Sequence, residues 1–214
     1  CMNHYKAALA VMAALAVFSA GCGNEAPPKQ AAPQAATTTA PAIKAESEQL
    51  FQQGLKSYES FDYAAAIAAY DKALAADKNN YKALSGKGVA LAMRGNSTGN
   101  LQDAEAGITL IKQALTLTPD YVPAYYDLAL SYKIGRHYDD AIQWFQKVIE
   151  KEPDNTWSYY GIATIYGDKG QAKEAVAYLK KAMVLDKANV RDAARSQAHF
   201  DSIRNDPAFQ ELVR

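Results

Sequence analysis

Tyr138-Asp139-Asp140-Ala141-Ile142-Gln143-Trp144-Phe145-Gln146-Lys147-Val148-Ile149 returns 34 residues later as Ala172-Lys173-Glu174-Ala175-Val176-Ala177-Tyr178-Leu179-Lys180-Lys181-Ala182-Met183. Apolar residues in each copy fall three and four apart, the spacing of one helix face. Ala141 and Ala175 hold one slot, Val148 and Ala182 a second, and Phe145 and Leu179 fill the space between. The same register recurs earlier as Ala66, Tyr70 and Ala73, and as Gly107, Ile111 and Ala114. Each of these helices is preceded by another periodic stretch, over 47–59, 81–94, 122–134 and 156–168, with a small slot at Gly54, Gly88, Ala129 and Ala163. Eleven of the twelve small slots are Gly or Ala, so paired helices can approach until their backbones nearly touch. Units of this size cannot bury their apolar faces alone and must stack on their neighbours. The prediction is an all-α solenoid of four helix-turn-helix units, 47–80, 81–121, 122–155 and 156–189.

These slots and the 34-residue period resemble the tetratricopeptide repeat (TPR) family over residues 47–189, and the resemblance implies that the solenoid is superhelical. Pro119 and Pro153 stand at the family's turn, while Lys78 and Lys187 replace Pro in the other two units. The second unit runs to 41 residues, and its excess, Gly95 to Leu101, reads as an exposed loop. Residues 190–214 read as a C-terminal cap, covering the surface a last repeat would leave open. Its first part, 190–204, is expected to be one helix with Val190, Ala194, Ala198 and Ile203 on the packing face.

Ahead of the repeats, Lys6 precedes twelve unbroken apolar residues, Ala7 to Phe18, and then Ser19-Ala20-Gly21. Twelve residues rise only ~18 Å as a helix, short of a ~30 Å bilayer core. Residues 1–21 therefore read as an export signal. Ser19-Ala20-Gly21-Cys22 resembles the lipobox of bacterial lipoproteins, departing from it at Ser19. That resemblance implies lipidation of Cys22, membrane attachment at the cell envelope and, with Gly23 after the Cys, an outer-membrane, periplasm-facing location. Residues 22–46 carry Pro27, Pro28, Pro33 and Pro41 and few large apolar groups. They read as a disordered tether with a reach of ~25–30 Å.

Chemistry is sparse in this sequence. The 23 basic and 23 acidic residues cancel, which argues against a nucleic-acid-binding surface. The two cysteines, Cys1 and Cys22, exclude a disulfide-stapled core. None of the three histidines, His4, His137 and His199, has a second ligand at metal spacing, and no phosphate loop or nucleophile motif occurs. No catalytic residue, metal or cofactor is assigned. His137 reads as a solvated turn residue, and Asp62, Asp139 and Asp140 as acids favouring helix N-termini.

The TPR resemblance places the first helix of each pair on a concave surface. There it puts Phe51, Leu55 and Tyr58, then Lys82, Ser85, Val89 and Met93, then Tyr126, Asp127, Leu130 and Lys133, and finally Trp157, Tyr160 and Thr164. Such a groove implies a protein or peptide partner with apolar or aromatic side chains, and the resemblance to lipid-anchored members of the family implies a membrane-tethered adaptor in envelope assembly, secretion or pilus biogenesis. Phe51 and Leu55 occupy two places of the clamp with which some family members hold acidic chaperone tails, so such tails are not expected to bind. The alternative is an accessory factor of cell-wall enzymes that binds peptidoglycan.

Overall fold

A computed structural model describes residues 40–214; residues 1–21, Cys22 and the tether as far as Thr39 lie outside the described residues. Four antiparallel helix pairs follow one another: α1 (Ala45–Glu59) with α2 (Tyr63–Ala76), α3 (Tyr81–Thr98) with α4 (Leu101–Leu117), α5 (Val122–Ile134) with α6 (Tyr138–Lys151), and α7 (Thr156–Asp168) with α8 (Ala172–Leu185). The chain closes with α9 (Lys187–Ser196), a 3-10 segment (Ala198–Ile203) and α10 (Pro207–Val213). The four units and their two small-slot helices are where the period puts them. Helix α1 starts two residues earlier than expected, and the end of the tether docks: the Lys44 backbone N–H donates to Asp77 at 3.1 Å and Lys44 Nζ to the Ala76 carbonyl at 3.0 Å.

Local chemistry sets the helix ends. Asp62, Asn80, Asn100, Asn155, Asp186 and Asp206 each cap a helix by accepting a backbone N–H of its first turn. Every turn within a pair uses one left-handed residue: Phe61 (φ 62), Gly99 (φ 77), Arg136 (φ 65) and Gly170 (φ 70). The equivalent turn thus recurs in all four units, although only two of them place glycine there.

Packing follows the small slots. Ala66, Ala73, Ala114, Ala141, Ala175 and Ala182 are fully buried. Between α3 and α4 the approach is backbone on backbone: a Cβ on Gly88 would stand 2.6 Å from the Gly107 carbonyl oxygen, and a Cβ on Gly107 would collide with Gly88 in return. The fillers lie against glycine, within their own pair or in the unit that follows. The Tyr70 ring would meet a Cβ on Gly54 at 2.5 Å and one on Gly86 at 2.7 Å, and the Phe145 ring would meet one on Gly161 at 2.6 Å.

Two expectations are corrected. Gly95–Leu101 is not a loop; α3 runs to Thr98 and α4 begins at Leu101, so the extra residues lengthen both helices and leave Gly99 and Asn100 to make the turn. Polar residues hold this extension because they satisfy the helix itself. Ser97 and Thr98 hydroxyls donate to the Arg94 carbonyl at 2.8 and 3.0 Å, and Arg94 pairs with Asp103 at 2.7 Å. The stretch 190–204 is likewise not one helix: α9 begins at Lys187 and stops at Ser196, and Gln197 is extended. Ala198 is exposed, while Val190, Ala194 and Ile203 are buried. The break lets Phe200 turn inward, its ring 5.9 Å from Tyr160 and 5.4 Å from Phe209. Arg204 supplies the capping that an uninterrupted helix would not need, donating to the carbonyls of Arg195 at 2.7 Å and Gln197 at 3.2 Å.

Candidate protein-interaction groove

Helices α1, α3, α5 and α7 pack successively against one another, so their outward stripes form one continuous surface. Units one and three influence each other there: Tyr58 of α1 lies within electrostatic reach of Asp127 and Tyr126 of α5.

The ten groove positions read from the sequence divide into two groups. Leu55, Tyr58, Lys82, Met93, Tyr126, Leu130, Lys133 and Trp157 keep part of their surface open. Phe51 and Tyr160 do not, and their assignment to partner contact is corrected. Phe51 is 5% exposed, with its ring 5.8 Å from Tyr70. Tyr160 is 6% exposed, T-shaped to Phe200, and its hydroxyl donates to Gln197 at 2.9 Å. These two rings belong to the core and to the contact with the cap. Cys22 lies outside the described residues.

The two ends of the surface differ in charge. In the N-terminal half, Asp127 is 5% exposed and its Oδ2 accepts from Ser85 Oγ at 2.8 Å, which joins α5 to α3. Burial pushes the Asp127 carboxyl up to about 7, against the lowering effect of the Ser85 hydrogen bond. Tyr58, Tyr70, Tyr121 and Tyr126 are all raised above the usual phenol range, by burial first and by the Asp127 charge second. Tyr81 packs edge-on to Tyr121 with centroids 5.0 Å apart. The basic groups on α3 are engaged elsewhere: Lys82 pairs with Glu48 at 3.2 Å and Lys87 with Asp71 at 2.5 Å.

In the C-terminal half, Lys133 Nζ lies 3.2 Å from His199 Nε2, and His199 Nδ1 lies 2.8 Å from Asp168. A nitrogen facing a carboxylate donates to it, so with Nδ1–H on Asp168 the His199 Nε2 accepts from the Lys133 ammonium. Burial lowers Lys133 to about 8, opposed by the Asp168 charge. This chain of contacts ties the third unit to the cap. His137 is also partnered, though not with Asp139 or Asp140: its Nε2 lies 2.6 Å from Glu105 of α4.

Sequence reasoning placed Asp127 on the surface but assigned it no role. The available signal was its slot, the sixth residue of the third unit. The same place holds Gly86 in the second unit and Gly161 in the fourth.

Family models described as tetratricopeptide repeat match residues 51–108, 122–155 and 144–177. Small glutamine-rich tetratricopeptide repeat-containing protein 2 of Mycosarcoma maydis is 31% identical over 119 residues, which is 56% of this chain and 32% of that protein. The alignment thus spans about a third of the relative's length. Among solved structures, MamA from Desulfovibrio magneticus RS-1 superposes with a TM-score of 0.54 at 18% identity, covering 80% of this chain and 95% of that one. YrrB, described as a TPR protein with an unusual peptide-binding site, superposes with a TM-score of 0.52 at 16% identity, covering 80% and 90%. At these identities the structural likeness is one of fold. The repeat matches at both ends of the helical array, with the packing of small residues between paired helices, establish that this chain is built of tetratricopeptide repeats.

Proposed function

We propose that this chain is an adaptor that holds a segment of a partner protein on the surface of its first helices, tethered by a lipid on Cys22 at the bacterial cell envelope, on the outer membrane facing the periplasm. The observation that carries the binding role is the run of partly open apolar and aromatic side chains, Leu55, Tyr58, Met93, Tyr126, Leu130 and Trp157, on helices whose other faces are buried. Aromatic groups with a polar tip are effective at wet interfaces. YrrB, which shares the fold, is described as having a peptide-binding site. The tether rests on the sequence alone, through the apolar stretch Ala7–Phe18 and the Ser19-Ala20-Gly21-Cys22 tetrapeptide.

Each half has its own test. Met93→Glu with Leu130→Glu places two charges on the open stripe without touching the fillers Tyr70 or Phe145. Partner capture should fall at least about tenfold with helicity and melting unchanged, because desolvating an unpaired charge in an interface is costly. Parallel loss of capture and folding would assign both residues to packing, and stronger retention on peptidoglycan than on protein would favour the cell-wall reading. For the anchor, radioactive palmitate should label the wild type, and Cys22→Ala should move to the soluble fraction. An unlabelled wild type, or a membrane-bound Cys22→Ala, removes the lipid from the account.

A further inference from the structure

Asp127 is the group the adaptor role leaves unexplained. Its carboxylate is buried and receives one hydrogen bond among the described residues, from Ser85. An ionised carboxylate in such a place is costly unless a cation and further hydrogen bonds complete it. Among the described residues no cation pairs with it: Lys82 is held by Glu48 and Lys87 by Asp71. Packing does not require an acid here either, since Gly86 and Gly161 fill the equivalent slot in the neighbouring units. Its charge reaches the phenols of Tyr58 from α1, Tyr70 from α2, Tyr121 just before α5 and Tyr126 on α5 itself.

Resting on the groove reading above, we propose that the partly open rings of Tyr58, Tyr121 and Tyr126, with the buried Asp127 carboxylate and its Ser85 partner behind them, take a basic side chain, lysine or arginine, of the partner segment. The carboxylate supplies the opposite charge, and phenol rings supply π faces and hydroxyl acceptors suited to an ammonium or guanidinium group. Tyr58, Tyr121 and Tyr126 each keep part of their surface open, so an incoming side chain reaches them from the groove. An acidic side chain would meet like charge, and an apolar one would leave the carboxylate without a partner. The lifted proton affinity of Asp127 fits a carboxylate awaiting a cation, because an ammonium beside it would favour the ionised form.

The test is selection of a random nine-residue peptide library, displayed on phage, on the full chain at pH 8 and in parallel on its Asp127→Asn variant. The wild type should enrich lysine or arginine at one fixed position about tenfold or more over the input. The variant should lose that preference while keeping the apolar ones, and a selected peptide should bind it at least about tenfold more weakly. Enrichment of apolar peptides without a basic position, or a basic preference that survives in Asp127→Asn, overturns the proposal and leaves the groove standing. No enrichment at all removes the groove and this site together. A melting curve of Asp127→Asn at least as stable as wild type confirms that the comparison is between folded proteins.

Discussion

Asp127→Asn is expected to stabilise the protein above neutral pH and to change little in acid. The folded-state midpoint of Asp127, about 7, lies above its ordinary 3.8. Between those values the folded chain keeps a proton that the unfolded chain has released. Stability contributed at this site is therefore lost as pH rises from about 4 through 7, and stays lost above it. The full difference is on the order of 4 kcal/mol, which for a domain of this size corresponds to roughly 10 °C in Tm. Asn is close to isosteric and can still accept from Ser85 Oγ, which donates at 2.8 Å in the wild type. The expected result is a pair of urea-denaturation series that coincide near pH 4 and diverge by pH 8, with the variant higher. Parallel series across that range would mean that Asp127 ionises as freely as an exposed acid.

Ala141→Leu together with Ala175→Leu should have the largest destabilising effect of any conservative apolar change. Both alanines are fully buried, on α6 and α8, at positions where the period demands a small residue. Overpacking costs about 1–3 kcal/mol at each site, and the two lie in different helix pairs, so their effects should sum to several kcal/mol. Ala106→Leu on the exposed face of α4 adds the same atoms and should be nearly neutral. Urea denaturation followed by far-UV circular dichroism separates the two. A near-native midpoint for the double variant would show that backbone approach does not hold the units together.

How far the sequence could be read depended on whether a feature repeats. Helices α5 to α8 fall where the 34-residue period puts them because each small slot must face its partner helix. What does not repeat was harder to read. Gly95-Asn96-Ser97-Thr98 has the composition of a loop, and nothing in one sequence signals that Ser97 and Thr98 would bond back to Arg94 and keep α3 going. The break at Gln197 comes from Phe200 seeking Tyr160 and Phe209, contacts that no local pattern announces. The groove shows the same limit within one register position. Phe51, Ser85, Tyr126 and Tyr160 are each fifth in their units, yet only Tyr126 stays partly open. Phe51 is buried beside Tyr70, Tyr160 is closed off by the cap, and Ser85 is buried against Asp127. Register fixes the helix face, and the neighbours decide what remains available on it.

The proposed adaptor seats its partner on one face of the array, that of α1, α3, α5 and α7. Photo-crosslinking in cells from a benzoylphenylalanine at Tyr126 or Leu130, compared with one at Gln146 on the exposed face of α6, tests it most directly. The account predicts the same discrete adduct from both groove positions, loss of the Tyr126 adduct in Met93→Glu with Leu130→Glu, and none from Gln146. Equal yield from Gln146, or no adduct from either groove position while the protein is folded and at its normal level, would contradict it.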